Sequence, residues 1–241
     1  MRARTLVSAA LLGLLLSPAM AAPAMAGPWP DPRPQGDRLA EVLRPGPLMI
    51  DEDPASLGAV VNKQRPLPLD YVPAGLVPVD GGVIELRQEA ADALASLRAA
   101  AAAEGVTPTL ISGYRSAERQ AEVYASWVSQ MGGPSADEVS ARPGHSEHQT
   151  GLAVDLGSAT QPQCDLEQCY TQTVEGQWLA QNAERFGFVI RYTDQNQDRT
   201  GYRPEGWHLR YLGEDLIRQL QVRGAQSVEE LFGLPGGAEY T

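Results

Sequence analysis

Two short segments of the chain alternate strictly between apolar and polar residues, and this period-two pattern constrains the fold more than any other feature. In residues 152–156 the alternation places three apolar side chains on one face and Asp155 on the other. In residues 207–211 it places His208 and Arg210 opposite three apolar or aromatic side chains. We therefore expect two strands, each with polar residues on the face opposite the apolar one.

The rest of the chain mixes helices with further short strands. With 241 residues, 43% of them hydrophobic, it is long enough for one core of ordinary size but short for two full domains. Apolar spacing and turn residues predict helices over 86–104, 116–132, 175–186 and 214–223, and strands over 109–112, 152–156, 188–192 and 207–212. Because strands and helices alternate irregularly, the pattern favours an α+β domain over a doubly wound sheet or a repeat array.

The first 26 residues have the layout of a secretory signal peptide. Two arginines precede an apolar run over residues 6–16, which is too short to span a bilayer and is followed by two small-x-small cleavage sites. No cysteine follows that run, so a lipoprotein anchor is not expected, and no later stretch is long and apolar enough to span a membrane. We expect an exported protein, periplasmic or associated with the cell wall outside.

Residues 27–48 are rich in proline and charge and are predicted to be a linker, which leaves 49–241 as the folded domain. The two cysteines of that domain, Cys164 and Cys169, lie five residues apart in a polar stretch. In an exported protein a local disulfide is the expected state of such a pair. Redox catalysis is the less favoured alternative, because the spacing is not CxxC.

The charge balance argues against a nucleic-acid partner. Lys and Arg together number 19 against 30 Asp and Glu, a formal net charge of -11. The only charged residues within 1–26 are basic, so removal of this segment would make the protein more acidic still. A composition this acidic argues against a long basic groove that would bind a nucleic-acid duplex.

Two of the three histidines lie close to carboxylates. His148 precedes a turn at Gly151 that can direct its imidazole toward the face of Asp155, and His208 lies on the polar face of the later strand. Two imidazoles and one carboxylate match a catalytic zinc shell with a position left for water, and Glu205 could act as general base on that water. A lone histidine or strand-end aspartate is more often structural, so these residues alone leave both interpretations open.

The same residues belong to three longer blocks. They are Ser112-Gly113-Tyr114-Arg115-Ser116 with Gln120, Ser146-x-His148-x-x-Gly151-x-Ala153-x-Asp155, and Glu205-x-Trp207-His208-x-Arg210-Tyr211. In this order they resemble the signature blocks of the VanY-type D-alanyl-D-alanine carboxypeptidases, zinc peptidases of bacterial peptidoglycan that share their fold with hedgehog zinc domains. The likeness runs from about residue 61 to 212. It implies a small, mainly antiparallel sheet flanked by helices and one bound Zn²⁺.

The resemblance also implies a role for each matching residue. The zinc ligands it implies are His148, Asp155 and His208. Glu205 would be the catalytic base, and Arg115 would face the substrate, where its guanidinium can bind the terminal carboxylate or stabilise the tetrahedral oxyanion. Gln120 and Ser146 would form hydrogen bonds with the substrate. A structural role, as a helix N-terminal residue for Gln120 and as a turn former for Ser146, explains them equally well. The activity implied is removal of the C-terminal D-alanine from peptidoglycan stem peptides.

The type of cut stays open at this point. An L,D-carboxypeptidase, a D,D-dipeptidase or an endopeptidase would use the same zinc and base, and would differ in the pocket that loops such as 132–142 and 193–201 build. A dipeptidase would need an anionic pocket, to which Asp194 and Asp198 could contribute. A non-catalytic, zinc-stabilised wall-binding module is the alternative from another class, and the presence of Glu205 and Arg115 argues against it.

Four residues in or beside the blocks have no assigned catalytic role. His145 is not required as a ligand, and a contact at the rim of the site is one possibility for it. Trp207 and Tyr211 are expected to pack behind the site, because they alternate with His208. Gly206 stands where members of the family often have proline, a departure that could loosen the turn carrying the base.

Overall fold

The computed structural model describes residues 47–241. The predicted signal peptide, residues 1–26, and nearly all of the predicted linker, 27–48, lie outside the described residues. In the part of the chain that is described, no helix is both long and apolar enough to cross a membrane.

Six strands and seven helices follow one another in the described chain, joined by short 3-10 turns. The strands are β1 (Leu76–Pro78), β2 (Glu85–Arg87), β3 (Pro108–Ser112), β4 (Ala153–Ser158), β5 (Phe188–Ile190) and β6 (His208–Tyr211). The helices are α1 (Gln88–Ala103), α2 (Ala117–Met131), α3 (Gly133–Ala136), α4 (Val174–Asn182), α5 (Gln197–Thr200), α6 (Gly213–Arg223) and α7 (Val228–Leu231). The predicted α+β class is confirmed.

The central sheet has four strands in the order β3-β4-β6-β5, and every neighbouring pair is antiparallel. All four strands were expected from the sequence within a few residues. The apolar face of β4 is fully buried, as the alternation predicted, and packs with Leu94 and Leu97 of α1 in the main core. A second core cluster lies between α6 and α7.

The start of α1 differs from the prediction. Residue 86 was expected in the helix, but Leu86 lies fully buried in β2, where it pairs with Val77 of β1. Arg87 is extended, with φ -61° and ψ 146°, so the helix begins at Gln88. Helical spacing alone could not separate Leu86 from the helix, because its partner strand is only three residues long and carries no strong strand signal.

The other main helices agree with the prediction. The N-cap of α2 is Ser116, whose hydroxyl accepts a hydrogen bond from the Arg119 backbone N–H. The predicted helix over 175–186 is α4 followed by a 3-10 turn. Cys164 and Cys169 form the predicted disulfide, with a Cα–Cα distance of 5.3 Å.

Candidate active site

The register of β4 and β6 brings two of the predicted ligands together. Asp155 pairs directly with His208, and side chains at paired positions lie on the same face of a sheet. His208 Nδ1 lies 2.8 Å from Asp155 Oδ1. Two residues 53 positions apart in sequence thus become neighbours because both strands bury their apolar faces on one core.

His148 reaches the same point from the 3-10 turn before β4. That turn ends at Gly151, whose φ of 70° is left-handed and therefore favours glycine. His148 Nε2 lies 3.0 Å from Asp155 Oδ2, and its Nδ1 lies 2.7 Å from the Gly113 carbonyl oxygen. An Nδ1–H that donates to this carbonyl leaves Nε2 free to bind a metal.

The three side chains form a buried group suited to a metal ion. One potential ligand atom from each of His148, Asp155 and His208 lies within 4.8 Å of the others. Two neutral imidazole nitrogens and one carboxylate oxygen are a donor set that Zn²⁺ accepts, and they leave coordination positions open. The residues present therefore fit the zinc ion that the sequence predicts.

A buried carboxylate that sequence reasoning assigned no role lies behind His208. Glu147 Oε2 is 3.5 Å from His208 Nε2, and among the described residues neither atom has a hydrogen-bond partner. The other oxygen, Glu147 Oε1, accepts hydrogen bonds from Arg191 Nε at 2.9 Å and Arg210 Nη1 at 3.1 Å. With its Nε2–H directed at Glu147, His208 presents Nδ1 to the metal position.

The network continues away from the site. Arg191 also forms two hydrogen bonds to Glu229, at 3.1 and 2.6 Å. Arg191, Arg210, Glu147 and Glu229 are all at most 1% exposed. One sequence signal pointed this way: the alternation in β6 puts Arg210 beside His208, and an arginine buried there requires a carboxylate partner.

The electrostatics of the cluster depend on its carboxylates. Burial opposes ionisation of Asp155, but His148 and His208 hold its pKa well below the usual range. Burial likewise opposes a charge on His208, yet its hydrogen bond to Asp155 and the nearby carboxylate of Glu147 raise its pKa to about 10. Burial lowers the pKa of His148. The cluster thus favours a positive charge at its centre, which a divalent cation also provides.

Glu205 lies three residues before His208 in the turn that leads into β6. Its backbone N–H donates to the Tyr192 carbonyl, and its own carbonyl accepts from the His208 N–H, both at 3.0 Å. The carboxyl group remains partly open to the cleft, and burial raises its pKa to about 8. A carboxyl whose pKa lies near neutrality, beside the His-Asp-His cluster, can take up and return a proton and so has the properties of a general base.

The glycine at position 206, where members of the family often have proline, has a structural explanation. A Cβ atom at Gly206 would lie 2.6 Å from Thr171 Cγ2, so the turn and Thr171 are fitted to each other. The Trp207 ring packs at right angles to Tyr170, with centroids 6.4 Å apart. The turn that carries Glu205 is therefore packed against its neighbours and not loosened by the glycine.

Arg115 lies beside the cluster with its guanidinium held in place. It donates to Gln120 Oε1 and to Ser112 Oγ, both at 2.8 Å, and its Nη2 lies 3.6 Å from Asp155 Oδ2. Gln120 in turn donates to the Ala141 carbonyl at 2.6 Å. Gln120 therefore positions Arg115, while its predicted hydrogen bond to substrate stays a prediction.

A cleft of about 400 Å³ opens over these residues. The predicted site residues that line it are Arg115, Gln120, Ser146, His148, Asp155, Glu205 and His208. Its remaining wall residues come from α2, from 139–141, from 166–168 and from Glu147, Tyr192, Tyr202, Arg203 and Trp207. The loop 132–142 contributes as expected, whereas no residue of 193–201 lines the cleft. Asp194 and Asp198, which belong to that second loop, are exposed.

Three neighbouring residues can now be placed. His145 does not line the cleft; its Nδ1 lies 2.8 Å from the Asn62 carbonyl oxygen and its ring packs on Tyr240. Tyr211 packs on Phe188 behind the sheet, as expected. For Trp207 the expectation was wrong in part, because the indole belongs to the core and also lines the cleft.

Comparisons with known proteins agree with this geometry. The profile of the family VanY, described as D-alanyl-D-alanine carboxypeptidase, matches residues 83–214. A D-alanyl-D-alanine carboxypeptidase of Enterococcus faecalis is 33% identical over 200 residues, which cover 79% of this chain and 69% of that protein.

Solved structures share the fold. The LD-carboxypeptidase LdcB matches with a TM-score of 0.69 and 39% identity, over 77% of this chain and 90% of that one. The vancomycin-resistance D,D-pentapeptidase VanY, determined in complex with Zn(II), matches with a TM-score of 0.62 and 32% identity, over 73% of this chain and 98% of that one. The family match spans more than half of the sequence and includes the whole His-Asp-His cluster, so this chain belongs to the VanY family of D-alanyl-D-alanine carboxypeptidases.

Proposed function

We propose that this protein is an exported, zinc-dependent carboxypeptidase that removes the C-terminal D-alanine from peptidoglycan stem peptides. The observation that carries the proposal is the buried cluster of His148, Asp155 and His208 at the base of a cleft that also holds Glu205 and Arg115. These five residues provide a metal site, a base and a cation for a carboxylate.

Each side chain has a task in peptide hydrolysis. A zinc ion held by the cluster would act as a Lewis acid on the scissile carbonyl. Glu205 takes the proton of the attacking water and passes it to the amine of the leaving D-alanine. Arg115, fixed by Ser112 and Gln120, binds the terminal carboxylate and so aligns the last peptide bond with the base.

Relatives support this substrate class. The similar protein of Enterococcus faecalis is a D-alanyl-D-alanine carboxypeptidase, and a related structure, VanYB, contains D-alanine-D-alanine. That structure matches with a TM-score of 0.63 and 31% identity, over 73% of this chain. Export rests on the sequence of residues 1–26 alone.

An L,D-carboxypeptidase, which would trim tetrapeptides, is the second candidate. The observation in its favour is the similarity to LdcB, which has a higher TM-score and identity than the matched D,D-pentapeptidase. The dipeptidase alternative has less support, since Asp194 and Asp198 lie outside the cleft that would have to bind the substrate ammonium.

Released D-alanine distinguishes these activities. We expect the zinc-loaded protein to trim a muropeptide pentapeptide faster than the matching tetrapeptide, and a chelator to stop the reaction. Faster trimming of the tetrapeptide would replace the D,D assignment with the L,D one. If neither peptide is shortened by the zinc-loaded protein, the carboxypeptidase proposal is wrong.

A further inference from the structure

The loop closed by the disulfide forms part of the cleft. Leu166, Glu167 and Gln168 lie between Cys164 and Cys169, and all three line the same cleft as the His-Asp-His cluster. The sequence predicted a disulfide in this loop but no part for the loop in the site. The disulfide therefore lies at the cleft, which the five-residue spacing of its cysteines did not indicate.

The loop is attached to the frame of the site at two further points. Asp165 Oδ1 accepts a hydrogen bond of 2.7 Å from the Ser158 N–H at the end of β4. Gln168 Nε2 donates to the Pro204 carbonyl at 2.8 Å, next to the residue that carries the base. Together with the disulfide, these contacts fix the loop relative to the catalytic groups.

Leu166 occupies an unfavourable position within this fixed loop. Its φ is +58°, in the left-handed region that a bulky side chain rarely adopts, and its side chain is 44% exposed. Neither the backbone conformation nor the exposed apolar surface stabilises the folded chain. A leucine held in this way at a cleft is suited to contact a ligand.

The cleft is polar at its base and apolar toward solvent. The catalytic side chains are buried or nearly so, whereas four of the apolar lining residues, Val123, Trp127, Met131 and Leu166, are partly or largely exposed. If Arg115 binds the terminal carboxylate at the base, the residues upstream of the scissile bond extend toward this apolar mouth. A short substrate that ends near the scissile bond does not reach it.

We infer that the disulfide-closed loop, through Leu166, is a specificity-determining wall that binds the upstream part of a stem peptide. This inference rests on the proposed function and deepens it. It predicts that the loop distinguishes long stem peptides from short acyl-D-alanyl-D-alanine substrates. Leu166 adds binding energy only for the long ones, because only they cover its side chain.

The test compares Leu166→Gly with the wild type on a pentapeptide and on a short N-acetylated D-alanyl-D-alanine. Glycine adopts φ +58° without strain, so this variant removes the side chain and keeps the loop. We expect kcat/KM for the pentapeptide to fall about tenfold through KM, as loss of one buried leucine contact implies. Activity on the short substrate and the Tm should not fall.

Two further proteins sharpen the result. Leu69→Gly removes another exposed leucine, 66% exposed, that does not line the cleft, so both activities should stay at the wild-type level. The double variant Cys164→Ser/Cys169→Ser releases the loop and should raise KM for the pentapeptide in the same direction as Leu166→Gly. A loss of equal size on both substrates, or no loss on either, would overturn the inference.

Calorimetry keeps this test separate from the proposed function. If the wild type hydrolyses neither substrate, the carboxypeptidase proposal fails, and the affinity of the uncleaved pentapeptide is measured instead. Weaker binding of the pentapeptide alone by Leu166→Gly would still support the wall. Equal affinities of the variant and the wild type would exclude it.

Discussion

Glu147 sets the orientation of His208 and thereby the geometry of the proposed metal site. Its carboxylate is shared between Arg191, Arg210 and the Nε2 atom of His208. A carboxylate on the second nitrogen of a ligating histidine fixes the ring and raises its basicity. The sequence places Glu147 next to a ligand, but its partners are 44 to 63 residues away, so no local pattern shows the contact.

Glu147→Gln is therefore expected to weaken zinc binding. Loss of the charge facing His208 Nε2 should reduce the affinity by about 10- to 100-fold, the range typical of such partners. Competition with a chelator measures the affinity, and the absorption spectrum of the Co²⁺-substituted protein reports the coordination geometry.

Glu229→Gln is the matched control for this change. It also removes a carboxylate from Arg191, but Glu229 has no contact with His208 in the described structure. Both variants should lose stability, and only Glu147→Gln should lose zinc affinity. Equal zinc affinities of the two variants would show that Glu147 acts on folding alone.

Arg115 provides a second test at single-residue scale. Its guanidinium contacts Ser112 and Gln120 at once, which a lysine ammonium on its flexible stem does not reproduce. Arg115→Lys should lower kcat/KM for D-alanine release by at least about tenfold, as expected for loss of a bidentate carboxylate contact. Zinc content should stay at the wild-type value. An unchanged kcat/KM would show that Arg115 does not bind the substrate carboxylate.

The elements around the site show what sequence patterns can and cannot predict. Alternation in β4 and β6 identified the strands and the faces of Asp155 and His208, because period two follows from strand geometry. The register that pairs these residues depends on how the two strands share a core, which no single segment encodes. Helix spacing likewise assigned Leu86 to α1, although its pairing with Val77 places it in β2.

Gly113, which follows β3, is a backbone position on which this arrangement depends. A Cβ atom there would lie 2.5 Å from the Glu85 carbonyl oxygen and 2.7 Å from Ile84 Cγ2. The Gly113 carbonyl also accepts the hydrogen bond from His148. Displacement of this residue would thus move both the β2 segment and a proposed ligand.

Gly113→Ala is expected to destabilise the protein by about 1–3 kcal/mol, the usual cost of overpacking. Zinc affinity should fall as well, because the acceptor for His148 Nδ1 moves. Gly133→Ala is the control, since nothing lies within 4 Å of a Cβ atom at that position. Urea unfolding compares the two variants, and equal stabilities would contradict the close approach described above.

At the scale of the whole molecule, the sequence predicted the fold class, the disulfide and the residues that meet in the cluster. The parts it did not predict are the β1–β2 hairpin, the buried network of Glu147, Arg191, Arg210 and Glu229, and the position of the loop 164–169 in the cleft. The strands of the hairpin are too short to carry a periodic signal, and the network and the loop position depend on contacts between segments far apart in sequence.

The buried network also makes global stability depend on pH. Burial opposes ionisation of Glu229, but Arg191 and the Asn62 amide hold its pKa below the ordinary value of 4.5. A carboxyl whose pKa is lower in the folded state stabilises the protein above about pH 4.5, and this contribution is lost as the pH falls further. We expect unfolding free energies from urea titrations to decrease between about pH 5 and 3. In Glu229→Gln the decrease should be smaller, and an identical slope would show that other groups cause it.

The central claim is that His148, Asp155 and His208 hold a zinc ion while Glu205 acts on the substrate as a base. Its most direct test measures zinc content and D-alanine release from a pentapeptide for the wild type and for Glu205→Gln. We predict one zinc ion per chain in both proteins and a kcat about a thousandfold lower in the variant. Loss of zinc from Glu205→Gln, or turnover at the wild-type rate, would contradict the assignment of Glu205 as the base.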